Sequence, residues 1–173
     1  MAFRLNLMRT RLFVAALALT SVAMSSVSMA STSTTSIATG RFGEKISIPN
    51  STLTKSHIVR VTGRDFDETV GIYLAYCVMP KKGSLPTPCG GGINKAGIGD
   101  ASFWISSNPP PYGEGLAIAF KAGGRFSQKL EISKKIGAFD CTKVRCAITV
   151  RSDHLHEGDR THDLYIPIKF IKK

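Results

Sequence analysis

The chain has 173 residues, four cysteines and a formal net charge of +11 at pH 7. Such a charge favours acidic partners, but the lysines and arginines are scattered singly or in pairs, without a basic helix or an aromatic-basic motif. Nucleic-acid binding is therefore not expected. The even number of cysteines suits two disulfides in an oxidising compartment, and neither pair has the Cys-x-x-Cys spacing of a redox site.

The N-terminal residues have the pattern of a secretory signal peptide. Three arginines within the first eleven residues precede the apolar run Leu12–Leu19, and Ser28-Met29-Ala30 is a cleavage signal of the small-x-small kind. The apolar run is too short for a membrane span, so none is expected. We predict a signal peptide over residues 1–30 and a protein that is secreted, either extracellular or associated with the cell wall.

The rest of the chain is predicted to form a linker and one domain. Residues 31–44 are rich in serine and threonine, which predicts a flexible linker before a domain at residues 45–173, with order beginning near Glu44. Within the domain, short apolar runs have β-branched or alternating residues, and no segment shows a sustained helical period. These runs lie at 57–63, 71–78, 101–106, 116–120, 126–132, 145–151 and 164–170. The pattern predicts an all-β fold, a sandwich of about seven short strands.

The cysteines divide into two pairs, each flanking a turn-rich loop. Cys77 and Cys89 enclose a segment dominated by proline and glycine, which predicts a long loop or a two-stranded ribbon. Cys141 and Cys146 lead into a β-branched run, which predicts a strand pair held at its turn by a disulfide. Four cysteines permit three connectivities, of which local pairing is favoured. On the chain-entropy model each bridge would contribute roughly 2–3 kcal/mol to stability.

A block from Phe103 to Gly115 combines Trp104 and Tyr112 with three successive prolines. Successive prolines lock φ and lack N–H donors, so regular structure is not expected over Asn108–Gly115. One interpretation is a rigid aromatic rim that binds a ligand at low entropic cost. The other is a loop folded over the open end of the sandwich, with Trp104 capping the core.

Three of the four histidines fall in the polar segment 152–163. On a strand, His154 and His156 would point the same way, and with His162 they could bind a divalent metal or supply an axial ligand to haem. The alternative is a solvated loop whose acidic and basic side chains pair with each other, so neither a metal nor a cofactor is favoured. The chain contains no nucleophile elbow, phosphate loop or HExxH motif, so we do not expect an enzyme.

The order of these features resembles the neocarzinostatin-type apoproteins, secreted actinobacterial proteins that carry an enediyne chromophore in a cleft. The matching segments are Gly71-Ile72-Tyr73 up to Cys77, then Cys89, Asp140-Cys141-Thr142 up to Cys146, and Ile166–Phe170. The resemblance implies an immunoglobulin-like, seven-stranded antiparallel sandwich with two local disulfides and a cleft at the positions of Met79, Ala147 and Arg151. The block that holds Trp104 and Tyr112 is instead similar to cell-surface relatives, some of which accompany haem-uptake modules.

The sequence thus predicts a secreted, non-catalytic binding or cell-surface module whose partner is a small molecule or a component of the cell envelope. We expect its site in the cleft between the ribbon closed by Cys77 and Cys89 and the strand after Cys146. The candidate ligand-binding residues are Met79, Phe103, Trp104, Tyr112 and Arg151. The alternative functions are a haem- or metal-handling protein and a carrier of an antibiotic chromophore, and the sequence does not indicate the oligomeric state.

Overall fold

The computed structural model describes residues 34–91 and 102–172, and these residues form twelve strands and two 3₁₀ turns. The predicted signal peptide, residues 1–30, lies outside the described residues. Within them, no helix is long and apolar enough to cross a membrane. The strands are β1 (Ser36–Thr39), β2 (Lys45–Ile48), β3 (Thr52–Leu53), β4 (His57–Arg64), β5 (Ile72–Val78), β6 (Cys89–Gly90), β7 (Ser102–Ile105), β8 (Phe126–Ile132), β9 (Lys135–Ile136), β10 (Phe139–Asp140), β11 (Cys146–Ser152) and β12 (Leu164–Phe170), and the 3₁₀ turns are Pro111–Gly113 and His154–His156.

The strands form two main sheets. The order in the first sheet is β1-β2-β4-β8, and in the second it is β3-β12-β11-β5-β6, with β7 also paired to β5. Neighbouring strands are antiparallel except for the two-residue pairing of β3 with β12, which is parallel. β5 lies between β11 on one side and β6 and β7 on the other, the central position that its continuous apolar run predicts. The predicted all-β sandwich is confirmed.

The core lies between the two sheets and is built by alternating side chains. In β4, Val59 and Val61 face inward while their neighbours are exposed, and in β12 Leu164, Ile166 and Ile168 face inward in the same way. Because successive side chains of a strand point to opposite faces, a period of two directs one apolar set towards the facing sheet. Inward side chains from both sheets form one hydrophobic cluster.

Order begins earlier than the sequence predicts, because β1 lies inside the segment expected to be a linker. β1 pairs along its whole length with β2, and across the turn the Gly40 N–H donates to the Glu44 carbonyl at 2.7 Å. The prediction of a flexible linker over 31–44 is therefore wrong from residue 36 onward. Backbone pairing orders a polar segment of which Ala38 packs against the core. The described residues contain eight strands of four or more residues, because β1 and β2 add two to the predicted seven, whereas the predicted run at 116–120 forms only an isolated bridge between Ile118 and Ile105.

Both disulfides are local, as predicted, joining Cys77 to Cys89 and Cys141 to Cys146. The first closes the ribbon (residues 79–91), whose strand β6 pairs with β5. The prediction of a strand pair held at the second bridge is wrong, because β10 pairs with β9 rather than with β11. That bridge instead joins the hairpin of β9 and β10 to the start of β11. All four cysteines are oxidised, which fits an oxidising compartment.

Candidate functional site

The outer face of the second sheet, which is turned away from the core, carries a second set of buried side chains. Strands β5, β7 and β11 alternate core residues with residues that point outward. The outward set comprises Tyr73, Ala75, Cys77, Ser102, Trp104, Ala147, Thr149 and Arg151, of which all but Arg151 are buried. They are buried because the ribbon and the segments that hold Tyr112 and His154 lie over this face. This part of the sheet is therefore covered on both sides.

Between the ribbon and the outer face lies a cavity of about 180 Å³. The disulfide Cys77–Cys89 borders it, so the ribbon is joined covalently to a strand of the cavity floor. The lining consists of Tyr73, Ala75, Cys77, Leu85, Pro86, Thr87, Cys89, Ser102, Thr149, Arg151 and Glu157. Pockets for drug-sized ligands occupy roughly 300–1,000 Å³, so this cavity suits a small molecule or one ring of a larger one.

Thr149, Arg151 and Glu157 contribute to the polarity of the cavity, and Glu157 places a carboxylate in the same lining as Arg151. The Thr149 hydroxyl lies 3.1 Å from the Cys77 sulfur and 3.5 Å from the Ala75 carbonyl, which holds it against the floor. Arg151 places its guanidinium 4.9 Å from the centre of the Tyr73 ring, a cation–π contact. It forms no ion pair with a carboxylate among the described residues. Because burial lowers the pKa of Arg151, an acidic ligand group would favour its charged form.

Beside the cavity, four rings form an aromatic cluster (Tyr73, Trp104, Tyr112 and His154). His154 joins two of them, because its Nδ1 lies 2.5 Å from the Tyr73 hydroxyl and its Nε2 lies 2.8 Å from the Tyr112 hydroxyl. The His154 ring also meets Trp104 edge-on, at a centroid distance of 4.9 Å. A Cβ at Gly113 would overlap the indole of Trp104, so a glycine lets the first 3₁₀ turn approach this ring. One imidazole thus links two tyrosines from distant segments.

Asp153 anchors the aromatic cluster as a fully buried carboxylate. Its Oδ2 accepts a hydrogen bond from Trp104 Nε1 at 2.9 Å, and its Oδ1 accepts one from the Leu155 N–H at 3.0 Å. A Cβ at Gly71 would overlap this carboxylate, so the glycine leaves room for it. Burial, and then the nearby Asp153 charge, raise the pKa of Tyr73 to about 12. The Tyr73 hydroxyl therefore keeps its proton at neutral pH.

The structure brings together only part of the predicted site. Arg151 lines the cavity, and Trp104 and Tyr112 belong to the adjoining aromatic cluster, where Trp104 covers the outer face instead of capping the core. Phe103 alternates with Trp104 along β7 and points into the core, so the prediction that it lines the site is wrong. Met79 borders a different groove at the start of the ribbon and does not line the cavity.

The three candidate metal-binding histidines face different partners. His154 and His156 lie on a 3₁₀ turn instead of a strand, and while His154 contacts two tyrosines, His156 Nδ1 lies 3.5 Å from Asp153 Oδ1. His162 lies between two other carboxylates, at 3.8 and 3.7 Å. Nowhere in residues 34–91 and 102–172 are three histidine, cysteine or acidic side chains grouped to hold one metal ion. Haem binding stays a prediction from the sequence alone.

Sequence reasoning missed most of the cavity lining. A signal was present in β5, where every second residue (Tyr73, Ala75, Cys77) must point away from the core. The continuous apolar run hid this alternation, because both faces of the strand are buried. Asp153 was missed for another reason: it stands among other polar residues, and composition does not distinguish a buried carboxylate from a solvated one.

Comparisons with known proteins found no matching family model and no similar curated protein. The solved structure of macromomycin is similar to this chain, with a TM-score of 0.47 and 13% sequence identity. The similarity covers 74% of this chain and 99% of macromomycin, an apoprotein of the neocarzinostatin family. A similarity of this size does not assign the chain to that family.

Proposed function

We propose that this protein is a secreted, non-catalytic binding module that holds a small molecule between the ribbon and the outer face of β5, β7 and β11. The observation that carries the proposal is the cavity itself, which is bordered by a disulfide and lined by residues of these three strands. A ribbon that is already held covalently has less conformational freedom to lose on binding, which favours affinity. A carrier of a small molecule and a surface receptor for one would both use this cavity.

The lining favours a ligand with an apolar ring and an acidic group. Ala75, Leu85 and Pro86 offer alkyl surface, and the Tyr73 ring lies beside them. Arg151 carries the one positive charge of the lining and forms no close ion pair among the described residues, and the Glu157 carboxylate, which also lines the cavity, attracts it from a longer distance. A carboxylate at this position could accept two parallel hydrogen bonds from the guanidinium, which are stronger than bonds between neutral groups.

The N-terminal sequence and the two disulfides support secretion. The bonded state of the two sulfurs at the cavity supports a non-catalytic role. Residues 1–30 have the pattern of a signal peptide, and two disulfides suit the compartment to which it would lead. The two sulfurs at the cavity are bonded to each other, so neither is available as a thiolate nucleophile. We therefore propose that the residues lining the cavity bind a ligand and do not catalyse a reaction.

The proposal can be tested with benzoate and benzamide, which share a ring and differ in charge. In two-dimensional NMR of the secreted protein, benzoate should shift the amide signals of Ala75, Ser102 and Thr149, and benzamide should bind more weakly. Arg151→Gln should remove most of this preference, a change of about tenfold, because it deletes a charged hydrogen-bond donor. If neither probe shifts the cavity signals, the proposal is wrong.

A cavity-filling variant gives the matched control. Ala75→Leu adds three carbons to the floor of the cavity and should abolish benzoate binding while the fold persists. Ala119→Leu makes the same change at an exposed position and should bind benzoate as the native protein does. Unchanged benzoate affinity in folded Ala75→Leu would mean that the probe binds elsewhere.

A further inference from the structure

A second pocket, the acidic pocket, contrasts with the basic character of the whole chain. Its volume is about 250 Å³, and it is lined by Phe42, Glu44, Asp65, Asp67 and His162. These residues come from the β1–β2 turn, from the segment after β4 and from the segment before β12. The pocket shares no lining residue with the cavity under the ribbon, so what it binds is independent of that cavity.

Glu44 is the unusual group of the acidic pocket, because its carboxylate is buried with one oxygen lacking a hydrogen bond. The residue is 2% exposed, and its Oε2 accepts a hydrogen bond from the Phe42 N–H at 2.9 Å. Its Oε1 receives no hydrogen bond from any described residue, and His162 Nδ1 stands 3.8 Å away. Burying a carboxylate oxygen without a donor is costly, so a donor supplied by a ligand would be stabilising there.

The chain is shaped to hold this carboxylate. A Cβ at Gly40 would overlap the Glu44 carboxyl group, so only a glycine leaves room for it at the start of the turn. The Gly40 N–H donates to the Glu44 carbonyl at 2.7 Å, which fixes the backbone from which the side chain projects. The carboxylate thus borders the pocket because the turn leaves space for it and holds its backbone.

Two rings add surface that attracts a cation. Phe42 is 63% exposed, and its ring centre lies 5.0 Å from that of His162. The guanidinium of Arg41 lies 5.9 Å from the Phe42 ring centre, so this ring already has one cation beside it. Aromatic faces attract ammonium groups through the charge distribution of the ring. An exposed aromatic ring beside a carboxylate oxygen that receives no hydrogen bond matches the two parts of an organic cation, its alkyl chain and its charge.

The other two acidic groups of the pocket already form an ion pair or hydrogen bonds with residues outside it. Asp65 is paired with Arg64, and Asp67 Oδ1 accepts hydrogen bonds from the N–H and the hydroxyl of Thr69. Within the described residues, no three acidic or histidine side chains are close enough to coordinate one metal ion. The pocket therefore suits a larger cation that meets Glu44 through an N–H.

We propose that the acidic pocket binds a primary ammonium group, with Glu44 Oε1 accepting an N–H of the ligand and Phe42 covering its alkyl part. Two sources carry this chemistry, a lysine side chain of another protein and an amino sugar. The probes that separate them are Nα-acetyl-lysine methylamide and glucosamine. The proposal does not depend on the function proposed for the cavity under the ribbon.

The experiment titrates the full secreted protein with each probe by two-dimensional NMR at mildly alkaline pH. At least one probe should shift the amide signals of Phe42, Glu44 and His162. Glu44→Gln should weaken its binding about tenfold or more, because a charged acceptor is replaced by a neutral one. Glu131→Gln removes a negative charge from an exposed position on β8 and should leave the affinity unchanged.

Phe42→Ala provides a second variant in case Glu44→Gln does not fold, since the exposed ring contributes little to the core. It should weaken binding by roughly threefold, the size expected for an exposed cation–π contact. Binding of the lysine probe alone or of glucosamine alone supports the proposal and identifies the source of the ammonium group. The proposal is overturned if neither probe shifts these signals, or if calcium chloride shifts them at lower concentration than either probe.

Discussion

The two faces of the central strand β5 are both buried, but by different groups. On the inner face, Leu74 and its neighbours join a cluster made of apolar side chains from both sheets. On the outer face, Tyr73 lies among an imidazole, an arginine and an indole, covered by the ribbon and by loops instead of a second sheet. The inner face is held by close packing, whereas the outer face depends on directional contacts that leave a cavity.

The difference between the two faces of β5 indicates where the protein can bind a ligand. An apolar core tolerates no vacancy without loss of stability, because its side chains lose contacts on all sides of a void. A face covered by a ribbon can keep a cavity, since the backbone of the ribbon is held by its disulfide.

Leu74→Ala should cost about 2–5 kcal/mol in the free energy of unfolding, because it opens a void in the apolar cluster. Thr149→Val, on the outer face of β11, keeps the side-chain volume and removes contacts of the hydroxyl with Cys77 and Ala75. It should cost no more than about 1 kcal/mol. Urea denaturation of both variants measures the contrast, which would be refuted by an equal loss at the two positions.

Asp153→Asn should cost about 2–3 kcal/mol, because the amide turns a donor towards either Trp104 Nε1 or the Leu155 N–H. Trp104 is the one tryptophan of the chain, so the tryptophan fluorescence reports the surroundings of this indole. The emission maximum should move as the indole loses its partner. Glu131→Gln, at an exposed position, is the control and should change neither stability nor emission.

Stability should fall at alkaline pH, and Tyr73 should account for part of the loss. Its folded-state pKa is raised from the usual 10.0 to about 12, so the folded protein holds this proton more tightly than the unfolded chain does. Its contribution is complete below about pH 10 and is lost as the pH rises towards 12, by roughly 2 kcal/mol. Burial also raises the pKa of Tyr76 and Tyr165, so a residual loss is expected without Tyr73.

The variant Tyr73→Phe isolates that part of the alkaline loss. Its unfolding free energy, measured between about pH 9 and pH 11, should decline less steeply than that of the native protein. Identical slopes for the two proteins would show that the Tyr73 hydroxyl is not buried as described.

Tyr112→Phe should have the smallest effect, below about 1 kcal/mol, because Tyr112 is 61% exposed and loses one hydrogen bond to His154 Nε2. Its outcome is better seen by NMR than by denaturation, since the His154 ring signals should shift while those of the core methyl groups stay unchanged. A loss as large as that of Leu74→Ala would contradict the division between the two faces.

The parts of the fold that follow from the alternation of side chains along a strand, or from a short disulfide loop, could be predicted from the sequence. Val59 and Val61 alternate with the polar Arg60 and Thr62, and both disulfides close short loops, so the predictions of this strand and of the bridges were correct. β1 was missed, because a strand held mainly by backbone hydrogen bonds leaves little pattern in its side chains. Phe103 was misassigned, because the direction of an aromatic on a short strand depends on a register that the sequence does not state.

The candidate site was predicted less completely, for a related reason. Arg151 was named because the family resemblance aligns it with a cleft position, whereas Tyr73 was hidden in a strand that is apolar on both faces. Glu44 and Asp153 stand among polar residues and are buried all the same. They are buried by loops that come into contact only in the folded chain, so the local amino-acid composition does not indicate their burial.

The central claim is that the space between the ribbon and the outer face of the sheet is a binding site. It is tested most directly by measuring nuclear Overhauser effects between benzoate ring protons and the methyl groups of the native protein. If benzoate binds in this cavity, its ring protons should give cross-peaks to the methyl groups of Ala75, Leu85 and Thr149, which surround the cavity. Cross-peaks confined to exposed side chains such as Leu116 and Val144, with none to these three, would contradict it.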